Sequence, residues 1–446
     1  MLKIKSDLTK KVLQGSFINM IGAVVTNFTR FLLVFILARY YIKEEFGIWV
    51  TITSITAILA TGDFGIGNAL RNKLSLFITQ GKDADKHAER YYLTVLHVLI
   101  YVTIFISIVL YYLQGYIPLQ ELFKTDSASI KSIGKEIIVW VQIILLLGIP
   151  FSISNTCFYS YHESRIVAYL SITQAIITFG ATCILALTGQ SIVVISLVFF
   201  TSTLLMYVAG TFIFIKKRGW HFLNIQLPGA INIIKEMVIK GFPFFALQMS
   251  SAFLFNAGTV IMSSTVGLTS ATEYNLVQKL YLFILGIYQA AFNPMWAGYA
   301  HAINTQAWEW CRKTLRNSLM ITFIIFASAT IGITILGNFA LSILAGEKYV
   351  TDVTLFILLG SWITLYTLWA CAQTLQSATN RINLLVITTL IAAICITPFS
   401  KFMIGYMGVN GLLCAQIIIY FILALATVTE AFYLIKIKSK AQPVLS

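Results

Sequence analysis

The sequence predicts an all-α polytopic membrane protein, in which twelve transmembrane helices form two pseudo-symmetric six-helix lobes around a central cavity. Of the 446 residues, 58% are hydrophobic and 11% are charged, and the mean hydropathy is +0.84. This composition leaves too few polar side chains to cover a water-soluble globule. Apolar stretches of about 20 residues, enough for a helix to cross ~30 Å of hydrocarbon, recur along the whole chain. The sequence lacks the regular polar-apolar alternation of a membrane β-barrel.

Twelve apolar stretches meet the length requirement, and we interpret each as one membrane-spanning helix. In chain order they cover residues 15–38, 47–70, 91–113, 136–159, 167–187, 191–215, 241–267, 274–299, 317–336, 351–378, 383–403 and 411–435. The first stretch is too long for the core of a signal peptide, so we expect it to remain as the first span.

The net charge of +14 has an uneven distribution along the chain. If the N-terminus is cytoplasmic, most of the 31 Lys and Arg residues lie in segments that face the cytoplasm. An excess of these residues in short cytoplasmic loops is the positive-inside rule. The sequence therefore predicts that both termini are cytoplasmic, and the charge gives no reason to expect nucleic-acid binding.

Motifs for cofactors or catalysis are absent from the sequence. The six cysteines lie singly in or beside the predicted spans without CxxC spacing, so we expect packing roles and neither disulfides nor a metal site. No GxxxxGK[ST] phosphate-binding loop occurs, so ATP use would require another chain. We expect a protein that has no cofactor and is not an enzyme.

The spans divide into two groups of six. We expect an N-terminal lobe at residues 1–215, a cytoplasmic linker at 216–240 and a C-terminal lobe at 241–446. The stretches "LLGIPFSISNTCFYSYHESRI" and "LLGSWITLYTLWACAQTLQSATNRI" end the fourth span of each group with the same Arg-Ile pair. Equivalent spans have the same orientation, so the repeat is parallel, as in transporter folds with two lobes around a cavity.

Polar side chains share one face on four of the spans. At about 100° per residue, the polar residues of span one and of span eight each fall within an arc of about 100°. The stripe of span one is Ser16, Asn19, Thr26, Asn27 and Arg30, and that of span eight is Asn275, Gln278, Lys279, Gln289 and Asn293. Span seven adds Gln248, Ser251, Asn256, Thr259 and Ser263, and span two adds Thr51, Ser54, Thr61 and Asn68. Because these spans are equivalent pairs in the two lobes, we expect their stripes to face each other across the cavity.

Two cations stand on these stripes. At about 1.5 Å per residue, Arg30 and Lys279 lie within roughly 12 Å and 8 Å of the outer ends of their spans. Such cations usually face a protein interior or a hydrated cavity, although a long side chain can instead snorkel to the interface. Paired cations in a polar cavity favour an anionic ligand, since guanidinium binds phosphate oxygens bidentately. Neighbouring Asn and Gln suit hydroxyl groups, so a pyrophosphate joined to sugars fits both features, whereas a cationic drug is repelled.

The carboxylates near the spans have two interpretations. Asp63 lies among glycines at the inner end of span two, where it either pairs with Arg71 or Lys73 or couples transport to a proton or another cation. Glu273 and Glu430 lie near span ends, and we interpret them as interfacial.

The segment "LARYYIKEEFGIWVTITSITAILATGDFGIGNALRNKL", residues 37–74, resembles bacterial O-antigen (Wzx-type) polysaccharide flippases of the multidrug/oligosaccharidyl-lipid/polysaccharide exporter superfamily. The most specific part is the Asp63-Phe64-Gly65 turn and the residues 67–72 that follow it. The Arg-Ile turns and "GVNGLLCAQ" from Gly408 add to the resemblance, which extends over the whole chain in span number and loop sizes.

The resemblance implies a flippase that moves undecaprenyl-pyrophosphate-linked oligosaccharide from the cytoplasmic to the periplasmic leaflet of the bacterial inner membrane. It further implies alternating access, coupling to an ion gradient, and a polysaccharide polymerase and a chain-length regulator as partners. The residues expected to bind the substrate are Arg30, Lys279, Asn19, Asn27, Gln248, Asn256, Gln278, Gln289 and Asn293, with Asp63 as the candidate for ion coupling. The alternatives are a multidrug or metabolite exporter on the same fold, or a polytopic glycan polymerase.

Overall fold

A computed structural model describes residues 2–59, 64–79, 85–116, 119–125, 127–161, 163–224, 229–292, 295–379 and 383–440. Almost all of these residues are helical, and no β-strand occurs among them. The helices are α1 (Leu2–Tyr40), α2 (Lys43–Leu59), α3 (Ile66–Thr79), α4 (Asp85–Leu113), α5 (Leu119–Phe123), α6 (Ala128–Ser160), α7 (Ser164–Leu187), α8 (Ile192–Lys217), α9 (Ala230–Thr265), α10 (Leu268–Phe292), α11 (Met295–Asn304), α12 (Trp308–Leu344), α13 (Val353–Ala378), α14 (Asn383–Met407) and α15 (Val409–Lys440).

Ten of the described helices are long and apolar enough to cross a membrane, namely α1, α4, α6 to α9 and α12 to α15. The two remaining predicted spans correspond to α2 and α10. Helix α2 has only 17 residues, and the polar face of α10 lowers its hydropathy. The prediction of an all-α, multi-pass membrane protein is confirmed, whereas the count of twelve spans and the cytoplasmic location of the termini stay predictions.

The second predicted span is shorter than residues 47–70. Helix α2 ends at Leu59, and α3 begins at Ile66 after two residues in the left-handed region, Phe64 with φ 52° and Gly65 with φ 68°. Glycine adopts positive φ without a steric cost, so Gly65 permits this turn. Asp63, the candidate for ion coupling, lies outside the described residues.

The chain divides by its contacts into two compact units, residues 1–252 and 253–446. In the first unit α6 is the central helix, and it packs against α2, α3, α4 and α8, while α7 contacts α1 and α8. Residues 216–252 group with this unit, and Trp220 and Met237 belong to its buried core together with Tyr92, Phe158 and Phe214. The predicted division into 1–215, 216–240 and 241–446 stays a prediction.

The second unit has the same internal plan. Its central helix is α13, which packs against α10, α11, α12 and α15, and α14 packs against α15. The contacts of α6 with α2, α4 and α8 thus have counterparts in those of α13 with α10, α12 and α15, helices that are equivalent in a parallel six-helix repeat. This correspondence supports the pseudo-symmetry that the sequence predicts.

Candidate functional site

Arg30 lies on the protein-facing side of α1. The apolar residues that α1 exposes in this part of the helix are Ile21, Val24 and Phe28. Arg30 is nine residues from Ile21 and two from Phe28 in the sequence, which at about 100° per residue places it on the opposite face from both. It shares its face with Leu37, which is fully buried. The guanidinium is therefore directed away from the apolar surface of its own helix.

Helix α1 is held in this orientation by its packing on α7. Gly22 lies at this contact, where an added Cβ would be 3.5 Å from the Cβ of Ala168, an ordinary van der Waals distance. Towards the other end of α1, Leu33, Phe35 and Leu37 are buried. Arg30 lies one turn before this buried stretch, and unlike Leu33, Phe35 and Leu37 it is exposed.

The surroundings of Arg30 include a tyrosine but no described acidic group. Its side chain is exposed, on the face of α1 opposite Ile21 and Phe28. The phenol of Tyr207 on α8 lies close enough to interact with it electrostatically. Among the described residues no Asp or Glu forms an ion pair with Arg30. The site thus holds a permanent positive charge without an acidic partner in the described part of the chain.

Tyr207 is a neighbour of Arg30 that the sequence interpretation missed. Its ring packs over Gly148 of α6, where an added Cβ would lie 3.6 Å from Cδ2 of the tyrosine. One turn earlier on α8, the Thr203 hydroxyl accepts a hydrogen bond of 2.7 Å from Gln174 Nε2 of α7. The polar spacing of Thr203, Tyr207 and Thr211 at every fourth residue was the available signal.

Two further residues of the α1 stripe can be placed. Asn27 is half-buried, and the hydroxyl oxygen of Thr26 is buried without a hydrogen-bond partner among the described residues. Thr29 bonds back to its own helix, with 2.9 Å from Oγ1 to the Val25 carbonyl. The side chain of Asn19 lies outside the described residues. Asn27 and Thr26 therefore supply the polar groups nearest to Arg30 on its own helix.

The predicted residues of α9 and α10 differ in accessibility. Gln248, Asn256 and Lys279 are half-buried, Gln278 is buried and Gln289 is exposed. Asn293 lies outside the described residues. Asn275 is also buried, and its Nδ2 donates to Thr259 Oγ1 at 3.3 Å. Part of the α10 stripe thus packs within its own unit.

The structure brings the predicted residues together only in part. Arg30 and Asn27 share α1 in the first unit, and Asn256, Gln278 and Lys279 lie on the second unit. That the two sets face each other across one cavity stays a prediction. Tyr207 joins the first set as an addition from the structure.

Comparison with known proteins shows a family that the sequence matches and a relative with a similar sequence. Residues 12–296 match the family of polysaccharide biosynthesis proteins. A Yersinia pseudotuberculosis protein that carries the name O-antigen export protein is 22% identical over 341 residues, which cover 75% of this chain and 76% of that protein.

The fold is similar to solved transporters of the MOP superfamily. An inward-facing multidrug resistance transporter of the MATE family superposes with a TM-score of 0.76 at 12% identity, over 96% of this chain and 100% of that one. A MOP superfamily transporter from Pyrococcus furiosus, described as having a binding pocket of reverse polarity, gives a TM-score of 0.63 at 14% identity, over 97% of each chain. At these identities the likeness shows the fold.

Proposed function

We propose, from the premise that this chain belongs to the polysaccharide biosynthesis protein family, that it is a flippase for undecaprenyl-pyrophosphate-linked oligosaccharide. It moves the lipid-linked repeat unit of an O-antigen or related polysaccharide from the cytoplasmic to the periplasmic leaflet of the bacterial inner membrane. The transporter fold and the similarity to a protein named for O-antigen export support this proposal. So does the multi-pass helical architecture.

The observation that carries the proposal is the unpaired charge of Arg30. A central Arg costs ~2.5–3.5 kcal/mol on membrane-insertion scales, and this one has no acidic partner among the described residues to offset the cost. The guanidinium lies on the face of α1 opposite the exposed apolar residues Ile21 and Phe28. An anionic ligand is the partner that such a cation favours, and a pyrophosphate offers oxygens for bidentate hydrogen bonds. Arg30 therefore binds the pyrophosphate, and Asn27 and Tyr207 lie where they can hydrogen-bond its oxygens or the first sugar.

Transport proceeds by alternating access coupled to an ion gradient. The matching internal plans of the two units support this part of the proposal, because two equivalent lobes can exchange access between the leaflets. Lys279 and the amides Asn256, Gln248 and Gln289 are proposed to contact the substrate during this cycle.

Substitution of Arg30 tests the proposal. Arg30→Ala should abolish surface polysaccharide in cells, or lower its rate of appearance about 10- to 100-fold, since hydrogen bonds to charged groups contribute ~1.5–3 kcal/mol. Arg30→Lys should restore only part of the activity because it lacks the bidentate fork. Polysaccharide on whole cells is the measurement, with membrane levels of each variant determined in parallel.

The matched control is Arg39→Ala, which removes an exposed arginine from the last turn of the same helix. It should leave the polysaccharide level close to that of the wild type. Wild-type polysaccharide in a folded, membrane-inserted Arg30→Ala variant would refute the binding role of Arg30.

Drug export is the second candidate, favoured by the similarity of the fold to MATE multidrug transporters. The positive charge of Arg30 argues against cationic drugs as substrates. A polymerase is distinguished by the site of accumulation: its loss leaves single repeat units on the outer-leaflet acceptor, whereas loss of a flippase leaves lipid-linked units on the cytoplasmic side.

A further inference from the structure

A seam of polar and aromatic side chains runs along the interface between α13 and α15 in the second unit. Its residues recur at helical spacing on both helices, Trp362, Tyr366, Trp369 and Gln376 on α13 and Gln416, Tyr420, Thr427 and Glu430 on α15. At 1.5 Å per residue each set extends over about 21 Å. Tyr420 is central, with ring centroids 5.7 Å from Tyr366 and 6.0 Å from both Trp362 and Trp369.

The seam ends at a carboxylate. The Nε2 group of the fully buried Gln376 donates to Glu430 Oε2 at 2.7 Å and to the Thr427 carbonyl at 3.1 Å. Glu430 is half-buried, and no cationic side chain among the described residues pairs with it. It lies about 9 Å along α15 from Lys436, the first basic residue at that end. Glu430 is thus a carboxylate inside a membrane-spanning helix. Its described hydrogen-bond donor is the neutral side-chain amide of Gln376.

Polar atoms along the seam lack protein partners. Within the described part of the chain, five buried atoms make no hydrogen bond, namely Gln416 Nε2, Tyr420 Oη, Trp362 Nε1, Trp369 Nε1 and Gln376 Oε1. Buried polar atoms without a protein partner are usually satisfied by ordered water, because leaving them unsatisfied costs the full desolvation free energy. Here they follow one interface, so the water they require would form a line rather than scattered sites.

The equivalent interface of the first unit is different. There Tyr92 Oη lies 2.6 Å from Ser154 Oγ, which lies 2.6 Å from Thr211 Oγ1, and Thr211 donates to the Phe151 carbonyl at 3.0 Å. These hydroxyls satisfy one another without water. Asn155 Oδ1 of α6, beside Gly210 of α8, does lack a partner among the described residues, but the α13–α15 seam has five such atoms along one interface.

We propose that the α13–α15 seam holds ordered water and delivers protons to Glu430, which is the proton-binding carboxylate of this transporter. A proton from the aqueous phase passes along water and the Tyr420 hydroxyl, and it adds to the Glu430 carboxylate to give the neutral acid. The protonated carboxyl group of Glu430 then needs a hydrogen-bond acceptor. Rotation of the Gln376 side-chain amide brings its unpartnered Oε1 into position to accept this hydrogen bond. Coupling of this protonation to transport rests on the proposed flippase function.

The helices packed against this end of α15 carry both charged and neutral titratable groups. The charged ones lie at the start of α12 and are exposed, namely Glu309, Arg312, Lys313 and Arg316. The packed helices present Tyr299 on α11, Cys311 on α12 and Cys371 on α13, which line the buried cluster beside Ala431. In the described part of α14, Lys401 lies towards the opposite end of the helix and Cys395 is exposed. Arg381 lies outside the described residues. Because Glu309 is exposed, Glu430 is the partly buried carboxylate among the described residues here, and its Gln376 hydrogen bond connects it to the seam.

Infrared spectroscopy tests the proton site without any substrate. In the full-length protein in lipid nanodiscs, a pH-difference spectrum should contain a C=O band of a protonated carboxyl group that is lost in Glu430→Gln. The band should shift in Gln376→Leu, which removes the hydrogen bond to Glu430. Glu309→Gln is the matched control, because Glu309 is an exposed carboxylate at the start of α12, and it should retain the band. Absence of the band in the wild type, or its persistence in Glu430→Gln, would overturn the assignment.

A transport measurement then tests the coupling. In proteoliposomes, a pH gradient should accelerate movement of the lipid-linked saccharide by the wild type, and in Glu430→Gln the ratio of rates with and without the gradient should fall to one. An unchanged ratio in this variant refutes the coupling role. If the wild type moves no lipid-linked saccharide at all, the proposed function fails, while the infrared result still decides whether Glu430 binds the proton.

Discussion

At the scale of single residues, Gly65 and Gly241 show how closely α3 approaches α9. A Cβ on Gly65 would overlap the carbonyl oxygen of Gly241, and a Cβ on Gly241 would lie 2.8 Å from the carbonyl carbon of Gly65. Gly65 also has φ 68°, which disfavours any side chain. The rings of Phe64 and Phe245 pack beside this contact with centroids 5.1 Å apart. The break between α2 and α3 thus fixes the start of α3 against α9 through two backbones in direct contact.

Gly65→Ala should destabilise the protein more than a substitution that only strains the backbone. Gly189 is the matched control, because it has φ 70° but an added Cβ would meet nothing within 4 Å. Gly189→Ala should cost ~1–2 kcal/mol of unfolding free energy from the left-handed conformation alone. Gly65→Ala adds the overlap with Gly241, at a further ~1–3 kcal/mol. Thermal unfolding in detergent micelles measures both, and equal shifts in Tm would contradict the close backbone contact.

At the scale of elements, the described residues around the connection between α8 and α9 make specific contacts with the first unit. The Arg218 guanidinium lies 3.6 Å from the ring centroids of both Tyr161 and Phe214, and it donates to Glu163 at 3.0 Å. Further on, Glu236 of α9 accepts a hydrogen bond from Lys73 of α3 at 2.9 Å. These contacts attach residues 216–224 and 229–240 to the first unit, and the predicted linker at 216–240 stays a prediction.

The hydrogen bond between Lys73 and Glu236 makes the local stability at the start of α9 depend on the charge of Glu236. The hydrogen bond with Glu236 raises the pKa of Lys73, so its amine stays charged at neutral pH. The Tyr91 hydroxyl also donates to Glu236, at 2.8 Å. Replacing the carboxylate by an amide should remove about 1 kcal/mol, a typical value for a partly exposed charged hydrogen bond.

Hydrogen-deuterium exchange measures this effect directly. Glu236→Gln should accelerate exchange of the backbone amides in residues 230–240 about fivefold, as expected for ~1 kcal/mol of local stability. Lys235→Gln, which changes the exposed neighbouring residue, should leave their exchange unchanged. Equal protection in wild type and Glu236→Gln would show that this ion pair does not hold α9.

The sequence was sufficient to predict the helices but not all of their breaks. Length and apolarity determine whether a helix crosses a membrane, so the spans at α4, α6 to α8 and α12 to α15 were predictable. The turn at Phe64 and Gly65 before α3 contacts Gly241, which is far away in the sequence, so helical periodicity could not predict this contact. Helical periodicity identified Arg30 and Asn27, because polar residues on one face of a span stand out. Tyr207 was missed because a single tyrosine in a span looks like an interfacial anchor until its neighbour is known.

At the scale of the whole molecule, the two units share one internal plan but differ in their polar interiors. In the first, the hydroxyls of Tyr92, Ser154 and Thr211 bond to one another, although Asn155 Oδ1 nearby lacks a described partner. In the second, unpartnered groups around Tyr420 and Gln376 follow one helix interface. Within the proposed function this difference separates the tasks of the two units, with substrate charge recognised at Arg30 and protons bound at Glu430. Two repeated units can have different functions, because each unit can keep the same helix packing while its polar residues change.

Transbilayer movement by the purified wild-type protein tests the central claim most directly. Proteoliposomes are loaded with a fluorescent pyrophosphate-linked saccharide lipid, and a quencher in the outer solution reports its transfer between leaflets. A cationic dye, rhodamine 6G, is offered in separate vesicles as the substrate expected of a multidrug exporter. We expect the protein to move the saccharide lipid and not to transport the dye. Transport of the dye without movement of the saccharide lipid would refute the proposed flippase function.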